Sequence, residues 1–277
     1  MKYATKTRPL FLGSQHAPAQ GSGQGAMGAR GAKKLWVPTR CQQMTNLLTY
    51  NCRTLLGEAK LEELNTELDY INWDIIGLSE VRRLGENTIK LKNGHIFYHK
   101  GDEQTRYGGV GFLIHKKLEK QIVKFEGISN RIAKLTLKLN KRYNMQIIQI
   151  CAPTSSHPDE EIEDFYETLT NTHMQENYHF KIIMGDFNAK GSKSRELPTV
   201  GIFGLKEGND RGDRLMEFAE STKMYIMNTF YKKKAGRKWT WRSPNGVKNE
   251  IDFFLSNNKS IFQDVSALKR FKTGSDR

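Results

Sequence analysis

Four polar side chains stand at or just beyond the ends of apolar runs in this chain. Asn51 closes NLLTYN, Glu80 closes WDIIGLSE, Asp186 lies near the end of FKIIMGDFN, and Asp276 follows DVSALKRF. If those runs are buried strands, three carboxylates and a carboxamide leave them at what could be one rim of a sheet. Converging carboxylates repel one another, and a hard divalent ion with oxygen ligands is the usual way to offset that repulsion. Mg2+ suits one or two carboxylates with retained waters, with phosphate oxygens completing its shell; Mn2+ is the alternative ion. Any one of these acids taken alone reads more simply as a helix cap or turn residue. The strongest local signal is IIMGDFNAKG, where strand alternation sets Asp186 and Asn188 on the same side. Asp186 could hold or activate a water there, while Asn188 orients it or a phosphate oxygen.

The elements that must position these residues follow from periodicity. NLLTYN (46–51) and WDIIGLSE (73–80) read as strands, separated by a helix in which Leu61, Leu64, Leu68 and Ile71 recur at helical spacing. GGVGFLIHK, QIVKFEG and RIAKLTLKL follow as three strands with no helix between them, which suggests antiparallel pairing. MQIIQICAP is another strand, and Pro158 opens an acid-headed helix through EEIEDFYETL. FKIIMGDFN reads as a strand, DRGDRLMEFAESTK as a helix, and MYIMNTF, KWTWRS, EIDFFLS and DVSALKRF as further strands. Many strands, few helices and no internal repeat indicate one α/β domain built as a sandwich.

Composition narrows the class of partner. The 277 residues carry 44 Lys and Arg against 30 Asp and Glu, a formal charge of +14 that favours a polyanion such as nucleic acid. Three cysteines, Cys41, Cys52 and Cys151, show no metal-ligand spacing and argue against a disulfide framework, hence for a reducing compartment, nuclear or cytoplasmic. No apolar run reaches the roughly 18 residues of a membrane helix. Residues 1–45 are rich in Gly, Ala, Ser and Gln and contain no acid, so they read as a disordered basic arm ahead of a domain over 46–277.

Taken in order, TYN with Asn51, LSEVR with Glu80, MGDFNA with Asp186 and Asn188, WTW with Thr240, EIDFF with Asp252, and GSD with Ser275 and Asp276 resemble the endonuclease/exonuclease/phosphatase superfamily. Within it the chain is most similar to the endonuclease domain of RTE/BovB-type non-LTR retrotransposons, the group that includes craniofacial development protein 2-like sequences. The resemblance covers about residues 45–277 and implies a four-layered, DNase I-like α/β sandwich: two mixed β-sheets face to face, helices outside, the active site at one end. It also implies Mg2+-dependent nicking of DNA by in-line attack on a phosphodiester, with no small-molecule cofactor. By that resemblance Glu80 binds the metal, Asn51 supports the metal or the phosphate, and Asp276 lies beside the metal. Asp186 positions the attacking water, Asn188 polarises the scissile phosphate, Thr240 and Ser275 lie near the substrate, and Asp252 matches the acid that orients a catalytic histidine.

Two positions depart from the family pattern. Ser275-Asp276 is followed by Arg277 where the family carries histidine and continues into a final strand, so the domain is expected to be C-terminally truncated and its catalysis weakened, since a guanidinium cannot serve as a base. Cys151, in ICAPT, stands where many members place a tyrosine that contacts the scissile phosphate. His157 matches no motif and reads as a solvated loop histidine. For DNA contacts, YKKKAGRKWTW offers Lys233, Arg237 and Trp241, either as a phosphate-following loop beside stacking aromatics or as a solvated hairpin tip over core tryptophans. Arg82 and Arg83 after Glu80, and Arg106 with Tyr107, are weaker candidates. The competing reading is a catalytically inactive remnant that binds DNA or protein; oligomeric state is left open.

Overall fold

A computed structural model describes residues 2–7, 45–191, 194, 196–204, 208–243 and 245–268. The chain opens with β1 (Lys2–Thr7) and β2 (Thr45–Asn51), then α1 (Glu58–Leu68) and β3 (Ile75–Ser79). A hairpin of β4 (Glu86–Lys90) and β5 (Ile96–Lys100) leads to β6 (Val110–Ile114), β7 (Ile122–Ser129), β8 (Ile132–Lys138) and β9 (Asn144–Cys151). After α2 (Asp159–Met174) come β10 (Phe180–Asp186), α3 (Asp210–Thr222) and β11 (Tyr225–Ile226). A small ribbon of β12 (Trp241–Arg242) and β13 (Lys248–Asn249) precedes β14 (Asp252–Ser256) and β15 (Phe262–Leu268).

The strands form two mixed sheets, ordered β15-β1-β2-β3-β6-β5-β4 and β11-β14-β10-β9-β8-β7. Only β2/β3 and β9/β10 pair in parallel within these sheets. Between the sheets lie Leu47, Ile75, Tyr98 and Phe112 from one and Leu135, Ile147, Ile182 and Phe254 from the other, all buried. Outside the first sheet α1 turns in Leu61, Leu64 and Leu68; outside the second, α2 and α3 turn in Phe165, Leu169, Leu215 and Phe218. Burying such apolar faces at about 25 cal/mol per Å2 is the main drive for stacking helix, sheet, sheet and helices in this order. The expected four-layered sandwich is thus the fold. No helix among the described residues is long and apolar enough to cross a membrane.

Several local expectations are corrected. The arm is not without structure throughout: Lys2–Thr7 form a strand that pairs antiparallel with both β2 and β15. Its KYATKT sequence is rich in Tyr and Thr, which suit strands, and pairing on both sides outweighs the Gly-rich composition that follows. Residues 8–44 lie outside the described residues. The three consecutive strands do not form one antiparallel set. β6 belongs to the first sheet and a 3-10 turn at Lys116–Gln121 crosses to β7 and β8 in the second. MYIMNTF keeps only Tyr225–Ile226 as strand, because Met227–Phe230 winds into a 3-10 turn and the Asn228 carboxamide takes over the pairing, bonding the backbone of Asp252 and Phe254. The β4–β5 hairpin was not anticipated; β4 is nearly all polar, and its burial is slight.

Two histidines tie the fold to pH. Burial, with the neighbouring His115 and Lys116, lowers His95 to about 4, and burial beside Lys181 lowers His173 to about 4. The unfolded chain takes up these protons near pH 6.5, whereas the folded chain resists until about pH 4. Their contribution therefore falls as pH drops through that window. Urea midpoints measured from pH 7 to 4.5 should decline less steeply for His95→Gln than for the parent chain; superimposable slopes would refute this account.

Candidate active site at the rim of two sheets

The parallel strands of both sheets end at the same edge of the sandwich. In the first sheet Asn51 pairs with Ser79, one residue before Glu80; in the second, Asp186 pairs with Cys151 on one side and Asp252 on the other. Asn51 joins the sheets: its Nδ2 donates to Glu80 Oε1 at 2.6 Å and to Asp186 Oδ2 at 3.0 Å. Beneath it, Gln149 Nε2 donates to Ser79 Oγ at 2.9 Å, and Ser79 Oγ donates to the carbonyl of Ile150 at 3.1 Å. Gly77 makes room for that seam, since a Cβ there would lie 1.8 Å from Gln149 Oε1.

The backbone at this edge is bent into uncommon conformations. Among the described residues five non-glycines have positive φ, and four of them, Arg53, Glu80, Arg82 and Asn188, lie at this rim. Each such residue costs about 1 kcal/mol or more and persists only where its surroundings enforce it. Here Val81 and Arg82 donate their N–H groups to Gly109 and Gly108, and Leu55 donates to Val81. The Cys52 thiol, its pKa raised by burial and by Glu80, donates to the Ser79 carbonyl at 3.0 Å. Strain of this kind persists only where the surrounding structure enforces it.

Asp186 and Asn188 meet differently from the strand alternation expected. β10 ends at Asp186, and Asn188 folds back so that its N–H donates to Asp186 Oδ1 at 3.1 Å, an Asx-type turn. Asn188 Nδ2 donates to the Ala152 carbonyl at 2.8 Å, which leaves its second hydrogen for another acceptor. Gly185 has φ +146, and a Cβ on it would stand 2.1 Å from the Ile150 carbonyl, so only glycine lets β10 pack against β9 here.

Thr240 is buried and acts as a bracket: its hydroxyl oxygen accepts from the N–H groups of Ile251 at 3.1 Å and Asp252 at 3.3 Å. Cys151 is buried, and the Arg131 guanidinium reaches its carbonyl at 3.5 Å. His157 is not a solvated loop residue; half-buried, it meets Arg131 at 3.2 Å and Thr154 Oγ1 at 2.8 Å, and its carbonyl accepts from Arg211. The Thr154 N–H also donates to His157 Nδ1 at 3.1 Å, so the ring is held from both of its nitrogens. Arg131 was missed in the sequence because nothing near the β7–β8 turn marks it; its spacing to ICAPT becomes meaningful only once β8 and β9 pair.

The arginine pair divides. Arg83 is structural, donating to the Leu55 carbonyl and Glu58 and lying over Phe97 at 5.2 Å, whereas Arg82 reaches Glu80 at 3.2 Å. Lys233 is paired with Asp264 on β15, while Arg237 and Arg242 are exposed and Trp239 and Trp241 half-buried. Tyr107 is 58% exposed beside exposed Arg106. Ser275 and Asp276 lie outside the described residues.

The donor set fits a hard cation. Glu80 and Asp186 offer carboxylate oxygens bridged by the neutral Asn51 carboxamide, with the exposed Arg82 guanidinium against the outer Glu80 oxygen. Among the described residues no three or more His, Cys, Asp and Glu side chains converge as a metal cage, an arrangement Mg2+ does not require, since it keeps waters and takes one or two carboxylates.

Two mixed sheets with outer helices place the fold among DNase I-like structures. It overlays an AP endonuclease from Leishmania major with a TM-score of 0.56 over 77% of this chain and 79% of that one, at 12% identity. An AP endonuclease from Archaeoglobus fulgidus matches with a TM-score of 0.52 over 77% and 87%, at 11% identity. Residues 48–276 match the model of the Endonuclease/Exonuclease/phosphatase family, and the chain belongs to that family. It is 30% identical over 241 residues to craniofacial development protein 2 of Tragulus javanicus and to that of Bos taurus. The match takes in 85% of this chain but only 41% and 40% of those relatives, so the chain spans about two fifths of their length.

Replacing Gly185 by Ala should lower stability by about 2 kcal/mol or more, by pushing β10 away from β9 where Asp186 stands. Denaturant midpoints check this; a shift below about 0.5 kcal/mol would mean that the strand yields freely and that the site does not depend on this close approach.

Proposed function

We propose that the chain is a Mg2+-dependent DNA endonuclease of non-LTR retrotransposon descent, hydrolysing phosphodiester bonds at the rim of its two sheets. The observation that carries this reading is the Asn51 carboxamide bonded at once to Glu80 and Asp186, one acid from each sheet. Glu80 and Asn51, together with Asp276 by the family resemblance, would hold the ion, which would supply offsetting charge to the phosphate. Asp186 orients the attacking water and manages its proton; Asn188, its backbone folded onto that carboxylate, keeps a side-chain hydrogen for a phosphate oxygen. Thr240 holds the backbone of Asp252 in register with Asp186. The formal charge of +14 and the exposed Arg106, Tyr107, Arg237 and Arg242 suit a DNA backbone. The names of the two AP endonucleases support the substrate class, and descent is inferred from the motif resemblance alone.

A second reading rests on one residue. Arg277 follows Asp276, and a guanidinium stays protonated at any working pH, so it attracts a phosphate without acting as a base. On this reading the domain binds DNA, or a protein, with little or no cleavage.

Nicking of supercoiled plasmid by the purified chain, with Mg2+ against EDTA, tests both. Nicking should require the ion and fall at least about a hundred-fold in Glu80→Ala and in Asp186→Ala. Activity surviving both substitutions would place the chemistry elsewhere. Absence of nicking together with salt-sensitive DNA binding would select the second reading.

A further inference from the structure

Arg82 occupies Glu80 in a way that the proposed chemistry does not use. Its Nη2 lies 3.2 Å from Glu80 Oε2, on the opposite carboxylate oxygen from the one that accepts from Asn51. Both residues have φ +56, on either side of buried Val81. Their backbone is fixed by the bonds of Val81 and Arg82 to the Gly108–Gly109 loop, so the two side chains are brought together by an enforced turn and not by chance. Arg83 differs: it is bound to the Leu55 carbonyl and to Glu58 on α1 and lies over Phe97.

The geometry points to Arg82 as an exchangeable counter-ion of Glu80, which holds the carboxylate while no divalent cation is bound and turns to a DNA phosphate when one arrives. This rests on the reading of Glu80 as a metal ligand. A guanidinium and a divalent cation repel each other across one carboxylate, so arrival of the ion displaces the arginine. The pair is suited to exchange, because the Arg82 side chain is 44% exposed and that of Glu80 24%; a pair so open to water holds its partners by no more than roughly fivefold in an equilibrium constant. The released guanidinium stays within one side-chain length of the rim, where its planar fork matches phosphate oxygens. Arg82 is then a positioning residue that links ion binding to substrate binding: the ion frees the phosphate ligand, and the phosphate draws the arginine off the ion's site.

The consequence is a pair of opposite effects. Mn2+ affinity, measured by calorimetry on the full chain without DNA, should tighten roughly 2- to 5-fold in Arg82→Gln and stay near the parent value in Arg82→Lys. Affinity for a short duplex, measured by fluorescence anisotropy with Mn2+ saturating, should weaken several-fold in Arg82→Gln. Arg82→Gly, which suits φ +56 and removes the charge without straining the turn, should reproduce both shifts and covers a folding defect in the glutamine variant. Mn2+ binding that is unchanged or weaker in both neutral variants would overturn the proposal, as would a loss of both affinities together, the mark of a merely structural arginine. Glu80→Gln separates the two levels. Mn2+ binding that survives it removes the Glu80 site itself, whereas binding lost in Glu80→Gln but unmoved by the Arg82 variants removes only the counter-ion role.

Discussion

Everything at the rim depends on one carboxamide reaching across two sheets. The sheets are stacked by apolar burial, which is non-directional and fixes neither how far one slides over the other nor which strand ends come level. Directional bonds must settle that. Asn51, on β2, donates to Glu80 beyond β3 and to Asp186 on β10, and the Ser79–Gln149–Ile150 bonds below it repeat the link at the next level down. Apart from Glu80 these groups are buried, where an unmet hydrogen bond costs about 1–3 kcal/mol, so sliding the sheets would break several at once. The same bonds that align the layers therefore also set the distance between the two acids.

How the sequence announces this arrangement depends on the kind of signal. Asn51, Glu80 and Asp186 are legible because each ends or follows a run of buried residues, and a polar residue at the end of such a run has few places to go but a sheet edge. The helices are legible because Leu61, Leu64 and Leu68 keep a 3.6-residue period. What escapes is whatever depends on pairing partners distant in the chain. Lys2–Thr7 become a strand only because β2 and β15 both offer edges, and β4 is too polar to carry a burial pattern. Thr240 reads as a residue near substrate, yet its hydroxyl faces inward to the backbone of Asp252, a role that no local pattern encodes. Arg82 and Arg83 are identical letters, and only the packing of Phe97 and Leu55 under one of them tells them apart.

The charge of the chain is likewise more selective in space than in sum. Of the basic loop before the tryptophans, Lys233 is committed to Asp264 and Lys238 is buried, while Arg237 stays exposed. On the other side of the rim, Arg131 is shared among Cys151, His157 and, at 4.0 Å, Glu161. The net +14 therefore does not by itself say which cations face a ligand; their partners do.

The four left-handed residues at the rim explain why this edge needs so much support. A carboxylate at the end of a regular strand would continue the alternation of the pleat, and Glu80 and Asp186 would be carried apart by the twist of their sheets. Turning the backbone sharply at Arg53, Glu80, Arg82 and Asn188 breaks that alternation and folds the polar atoms toward one another. The expense, about 1 kcal/mol or more per residue, is offset by the bonds to Gly108 and Gly109 and by the thiol of Cys52. The turns at Glu80 and Arg82 are held by backbone and thiol groups, whereas the turn at Asn188 rests on the Asp186 carboxylate itself, so a change of partner at Glu80 leaves the first pair as they are while one at Asp186 reaches the second.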